Sequence, residues 1–124
     1  MTWILDERRR RRSTDRSTAL RYQLEHTLDR GRLEAVVLAD SAGLVVAAAG
    51  DPLMCQELGA LAPLVHRAAH RVPLPPLLRG AELAVRPMRL YGQELFLATV
   101  GGGVSRDALL CHSVRSLERI LAAN

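Results

Sequence analysis

The sequence of 124 residues contains no lysine, because all seventeen of its basic residues are arginine. This absence excludes mechanisms that require a lysine, among them the phosphate-binding P-loop, Schiff-base chemistry and a lysine general base. Aromatic residues make up only 3% of the chain, so the core must be built from leucine, valine and alanine. The two cysteines, Cys55 and Cys111, do not have a metal-like spacing. We therefore expect two reduced, buried thiols in a cytoplasmic protein.

The sequence also lacks an apolar run of the roughly 18 residues that a membrane span requires. Its first twelve residues place a charged block where a signal peptide has its apolar region, so we do not expect secretion. The length fits one domain, and an apolar fraction of 48% is high enough for a folded core. The expected location is the cytoplasm.

The net charge of +4 is concentrated at the N-terminus. Residues 1–32 contain nine arginines and five acids, whereas residues 33–124 contain eight of each. Five of these arginines are consecutive, namely Arg8, Arg9, Arg10, Arg11 and Arg12. We expect their mutual repulsion to leave residues 1–13 as a disordered basic arm, followed by a single domain over residues 14–124.

The arginine run of the arm allows several partners. It could simply be solvated, or it could bind an acidic protein surface, an anionic lipid or a nucleic acid. Nucleic acid is the disfavoured alternative, because the rest of the chain offers neither aromatic stacking residues nor a net positive charge.

The most regular segment is Leu33–Pro52, where two apolar runs flank the break Asp40–Gly43. Valines in both runs favour an extended backbone, and the glycine of the break can take the positive φ that closes a hairpin. Asp51 and Pro52 then match the cap and the first position of a helix. Both strands are apolar on both faces, so we expect helices or a partner to cover both sides of the sheet.

Helices are predicted at three places. Leucines every four residues predict a first helix over about 14–30, and an amphipathic stripe predicts a last helix after Ser105. The middle helix begins at Pro52 and ends before Pro73.

A second hairpin is predicted within residues 82–100. Pro87 lies in its first strand, and because proline cannot donate to a strand ladder, this strand should lie at a sheet edge. The resulting order, α-β-β-α-β-β-α, belongs to the α+β class. A fifth strand could lie near Pro87 or in the proline-rich connector 72–78.

No motif in the sequence forms a catalytic constellation. Gly101–Gly103 precedes a helix but matches no phosphate loop, and we interpret it as a flexible exit from the last strand. His66 and His70 could share a metal, but no third ligand lies near them in sequence. His112 lies between a cysteine and a serine, but adjacent helical residues point about 100° apart. We therefore predict a protein that is not an enzyme and has no catalytic residue, cofactor or metal.

The middle helix is apolar on nearly all sides. One stripe consists of Met54, Leu58, Leu61 and Val65. Further apolar residues, including Leu53 and Leu64, lie off this stripe. A helix of this kind is buried on two sides, and in a single domain one of the two sides would face a partner. We predict that the stripe forms a subunit interface, with ordinary core packing as the alternative.

The order of these elements resembles the Roadblock/LC7 family over about residues 17–122. The resemblance is carried by LRYQLEHTLDRG before the first hairpin, LEAVVLADSAGLVVAAAGD within it and ELFLATVGGG before the last helix. It implies a profilin-like sandwich, in which an antiparallel sheet of about five strands has one helix on one face and two on the other. It also implies a homodimer that uses the middle helix and the third strand, which adds Leu83 and Val85 to the predicted interface.

The resemblance also implies a regulatory function. Family members regulate small Ras-like GTPases, in bacteria including polarity and motility GTPases, or serve as dynein-associated or scaffold subunits. The all-arginine composition favours a high-GC bacterium as the source. We expect a non-enzymatic homodimer that binds and modulates a small Ras-like GTPase. The alternative is a scaffold or sensor-complex subunit without GTPase contact, which uses the arginine-rich arm to dock on an acidic partner.

Overall fold

A computed structural model describes residues 2–68, 78, 82–90, 92–102 and 106–122 of the protein. These residues form three helices and a four-stranded antiparallel sheet. The helices are α1 (Thr2–Gly31), α2 (Pro52–Ala68) and α3 (Arg106–Ala122). The strands are β1 (Leu33–Asp40), β2 (Val45–Gly50), β3 (Leu83–Leu90) and β4 (Gln93–Gly101).

The strands follow the order β2-β1-β4-β3, so β1 and β4 are central. Strand β3 is an edge strand of the described sheet, which confirms the prediction made from Pro87. Pro87 lies opposite Phe96 of β4. We expected about five strands, and the described residues form four. Most of the proline-rich connector, one of the two places where a fifth strand was expected, lies outside the described residues.

Helices cover both faces of the sheet, which explains why β1 is apolar on both sides. Leu24 of α1 and Leu117 of α3 pack in one core cluster with Val36 and Leu97 of the central strands. On the opposite face, α2 packs on a second cluster that is centred on Phe96 of β4. The arrangement of two helices on one face and one on the other is the predicted one.

The turn between β1 and β2 is held by Asp40. Its Oδ1 atom accepts hydrogen bonds from the backbone N–H groups of Ala42, at 2.9 Å, and Leu44, at 3.0 Å. Gly43 has a φ of +83°, and a β-carbon there would lie 3.2 Å from the backbone of Ala60 in α2. The turn therefore needs glycine both for its left-handed backbone and for its close packing on the helix.

The start of α2 has the predicted cap. The Oδ1 atom of Asp51 accepts hydrogen bonds from the N–H groups of Leu53, at 2.9 Å, and Met54, at 3.1 Å. Pro52 occupies the first helical position, where its missing N–H leaves no hydrogen bond unmade.

A second glycine, Gly59, lies where α2 packs against the hairpin. A β-carbon there would lie 2.5 Å from the side chain of Val45, so the helix and the hairpin are in close contact at this point.

The helices α1 and α3 are joined by a buried hydrogen bond. The Oγ atoms of Thr27 and Ser113 lie 2.6 Å apart. Because the Thr27 hydroxyl donates to the carbonyl of Gln23 at 2.9 Å, the Ser113 hydroxyl donates to Thr27. This contact helps to fix the position of α3 relative to α1.

The first helix is longer than predicted. We expected it to begin near residue 14, after a disordered arm, but its backbone is helical from Thr2. Arginine is a good helix former, and Asp6 and Glu7 each precede an arginine by four residues, a spacing that stabilises helices. Helical propensity thus outweighs repulsion along the arginine run. The division into an arm over residues 1–13 and a domain over residues 14–124 stays a prediction.

Candidate functional site

The predicted interface stripe of α2 faces the sheet of its own chain. Leu58 is fully buried there, and Val65 is half-buried. The other four predicted interface residues pack, partly buried, against the same cluster as Leu58, and they are Met54, Leu61, Leu83 and Val85. The structure therefore brings these residues together in one layer of the core. Their role in a subunit interface stays a prediction.

The exposed apolar residues of α2 lie on its other side. Leu53 and Leu64 are 62% and 48% exposed, and a separation of eleven residues places them on the same helical face. The neighbouring hairpin exposes three more large apolar side chains, Leu44, Val45 and Val46.

We call these five exposed residues the α2–β2 apolar surface. Gly43 and Val45 of the hairpin lie against Ala60 and Gly59 of α2, which come between Leu53 and Leu64 along the helix, so the hairpin and the helix are neighbours. Exposed apolar patches of this kind mark sites of interaction. The stripe that periodicity identified is not the whole buried face of α2, because Ala62, which lies off the stripe, is also fully buried against the sheet.

A groove between α3 and β3 brings together three arginines that the sequence had not singled out. It has a volume of about 710 Å³, and its described lining includes Arg89, His112, Arg115, Glu118 and Arg119. On α3, His112, Arg115 and Arg119 recur at intervals of three and four residues, which places them along one side of the helix. This spacing was visible in the sequence, whereas Arg89 joins the set only through the fold.

The arginines that we predicted to bind an acidic partner lie in the first half of α1. Their backbone is helical, and their side chains lie outside the described residues. The acid-binding role stays a prediction for Arg8, Arg9, Arg10, Arg11 and Arg12.

The two thiols differ, although both were predicted to be buried. Cys55 is buried, its thiol donates to the carbonyl of Ala49 at 3.3 Å, and burial raises the pKa of the thiol above its usual value. Cys111 is exposed, so the prediction was wrong for this residue. Cys111 lies at the margin of the core-facing side of α3. The residue before it, Leu110, is buried, and the residue after it, His112, is exposed.

In the described part of the chain, no three His, Cys, Asp or Glu side chains are grouped closely enough to hold a metal ion. The ring of His66 instead packs against Phe96, with 5.3 Å between the ring centroids. His70 lies outside the described residues. Among the described residues, no helix is both long enough and apolar enough to cross a membrane.

Neither a protein-family model nor a curated protein matches this sequence. Among solved structures, the fold is similar to that of MglB from Myxococcus xanthus, with a TM-score of 0.53 and 11% sequence identity. The match covers 82% of this chain and 94% of that chain. At this identity the likeness concerns the fold alone. The three helices and the antiparallel sheet of this protein therefore form a Roadblock/LC7-like fold.

Proposed function

We propose that this protein is a non-enzymatic regulatory module that forms a homodimer and binds a small Ras-like GTPase. The observation that carries the proposal is the α2–β2 apolar surface on a Roadblock/LC7-like fold. The fold suggests the class of protein, and the surface offers a place where a second subunit could bind.

The exposed leucines of α2 supply energy for association. Full burial of a leucine side chain contributes roughly 1.5–3 kcal/mol. Leu53 and Leu64 are about half exposed, so covering what remains would contribute roughly 1 kcal/mol each. In a two-fold interface every residue contributes twice, which gives about 4 kcal/mol from these residues alone.

A dimer of this kind would regulate its GTPase by selecting a conformation. Nucleotide turnover depends on the arrangement of the GTPase switch loops around the phosphates. A partner that binds one arrangement more tightly than another shifts the population toward it without donating a catalytic group.

Light scattering with a double substitution tests the homodimer. The wild-type protein should have twice the mass of the 13.6 kDa chain, and the L53D/L64D variant should have the mass of one chain with an unchanged circular dichroism spectrum. Tyr22→Asp is the matched control, because Tyr22 is also exposed and apolar but lies on α1. A wild-type mass of one chain at micromolar concentration would contradict the homodimer.

The GTPase assignment has its own test. The purified protein should bind a Ras-like GTPase that is encoded in the same genome neighbourhood and should change its rate of nucleotide turnover. If it neither binds any such GTPase nor alters turnover, this part of the proposal is wrong, even where the protein dimerises.

The second candidate is a scaffold or sensor-complex subunit without GTPase contact. It is favoured by the five consecutive arginines, which the helical backbone of α1 carries in successive positions. Deleting residues 1–12 distinguishes the two candidates. Loss of partner binding would favour a scaffold that docks through this segment, and retained binding would favour the folded body.

A further inference from the structure

The groove between α3 and β3 concentrates positive charge on a part of the chain that is neutral overall. Residues 33–124 contain as many acids as arginines. Among the described residues, three of those eight arginines nevertheless line this one groove, together with one acid, Glu118. The groove therefore has a net positive charge that the composition of the domain does not predict.

The charge of the three arginines is not neutralised within the described chain. Over this part of the structure, neither Arg89, Arg115 nor Arg119 has a carboxylate within 4.0 Å of its guanidinium nitrogens. Arg119 donates one hydrogen bond, from Nη2 to the Oγ atom of Ser116 at 3.2 Å, and that acceptor is neutral. Most of the guanidinium N–H donors therefore remain free for an external acceptor.

The spacing of the arginines indicates what kind of anion fits. Arg115 and Arg119 are four residues apart on α3, so they lie about 6 Å apart along one side of the helix. Arg89 comes from strand β3. Guanidinium groups bind carboxylates through two parallel hydrogen bonds. Because the three arginines come from two different elements, each can bind a different carboxylate of one peptide.

The described lining of the groove offers little for the base of a nucleotide. It contains no Phe, Tyr or Trp, and the aromatic ring that is present is the imidazole of His112.

We propose that this groove binds an acidic peptide segment of a protein partner, with carboxylates spaced about one helical turn apart. Arg115 and Arg119 bind two of these carboxylates from the helix side, and Arg89 binds a third from the strand. This site is separate from the arginine run of α1 and does not rest on the proposed GTPase function.

Fluorescence anisotropy with a labelled deca-glutamate peptide tests the site at physiological ionic strength. The R115Q/R119Q variant of the full chain should bind the peptide roughly tenfold more weakly than the wild type, because two charge-assisted contacts are lost. The R21Q/R67Q variant is the matched control. It removes the same charge from two other exposed helical arginines and should change binding less than about twofold.

Two comparisons separate this site from its alternatives. Replacing arginines 8–12 by glutamine should leave the sensitivity to R115Q/R119Q in place. If that replacement abolishes peptide binding while R115Q/R119Q has no effect, the acidic segment binds to α1 and the proposal is wrong. If pyrophosphate binds the wild-type groove more tightly than deca-glutamate, the ligand is a phosphate group and the proposal is also wrong. A GTPase is not needed in any of these measurements, so their failure leaves the proposed function unaffected.

Discussion

Truncating Leu58 to alanine should destabilise the folded chain strongly. The side chain is fully buried between α2 and the sheet, in the cluster that contains Phe96 and Val37. Replacing a buried leucine by alanine removes its transfer free energy and leaves a cavity, at a cost of about 2–5 kcal/mol. Since small domains have a total stability of about 5–15 kcal/mol, this loss is a large fraction of the free energy of unfolding.

Urea unfolding followed by circular dichroism measures the effect. Leu53→Ala is the matched control, because it makes the same chemical change on the same helix and alters helix propensity equally. Leu53 is mostly exposed, so we expect its truncation to change the stability of the monomer by less than about 0.5 kcal/mol. Both variants should keep the slope of the wild-type unfolding curve.

Protein concentration separates core packing from an interface. The loss at Leu58 should persist when the protein is diluted until it is monomeric, because the side chain packs within one chain. If the loss disappears on dilution, or if Leu53→Ala destabilises the monomer as much as Leu58→Ala does, the burial that we describe for α2 is wrong.

Four further predictions concern individual residues. Asp51→Ala should lower the free energy of unfolding by about 1 kcal/mol in urea, because the cap of α2 is lost. Gly59→Val should lower it by roughly 1–3 kcal/mol, because a β-carbon there collides with Val45. A thiol reagent should modify Cys111 in the native protein and Cys55 only after unfolding. Burial raises the pKa of Cys55, so its contribution to stability should be fully present below the usual thiol pKa and be lost as the pH rises from there through the raised pKa of the folded state.

Much of the fold could be predicted from short stretches of sequence. The turn at Asp40–Gly43 and the cap at Asp51 were identified because their hydrogen bonds join residues within four positions of each other. The edge position of β3 followed from Pro87, since the missing N–H is a property of one residue. The start of α1 was missed because helix propensity and charge repulsion compete along the same segment, and the sequence does not give their balance.

The candidate sites could be predicted only in part. Periodicity identified one apolar stripe of α2, which we predicted to be a subunit interface, with core packing as the alternative. In the structure Leu58 of this stripe is fully buried and Met54 and Leu61 pack partly buried beside it, so the stripe contributes to the core of its own chain, and its role in an interface stays a prediction. Leu53 and Leu64 lie off the stripe and are exposed. Because both sets of residues are apolar, hydrophobicity alone could not tell which of them the sheet would cover.

What the sequence by itself determined is the order and type of the elements and the local contacts that begin and end them, because these depend on neighbouring residues. Only the tertiary structure decided which face of α2 packs on the sheet and which arginines share a groove. Arg89 and Arg115 lie 26 positions apart in the sequence. They line the same groove because α3 packs beside β3. The distance between residues on different elements is set by the packing of the whole domain, and no local pattern encodes it.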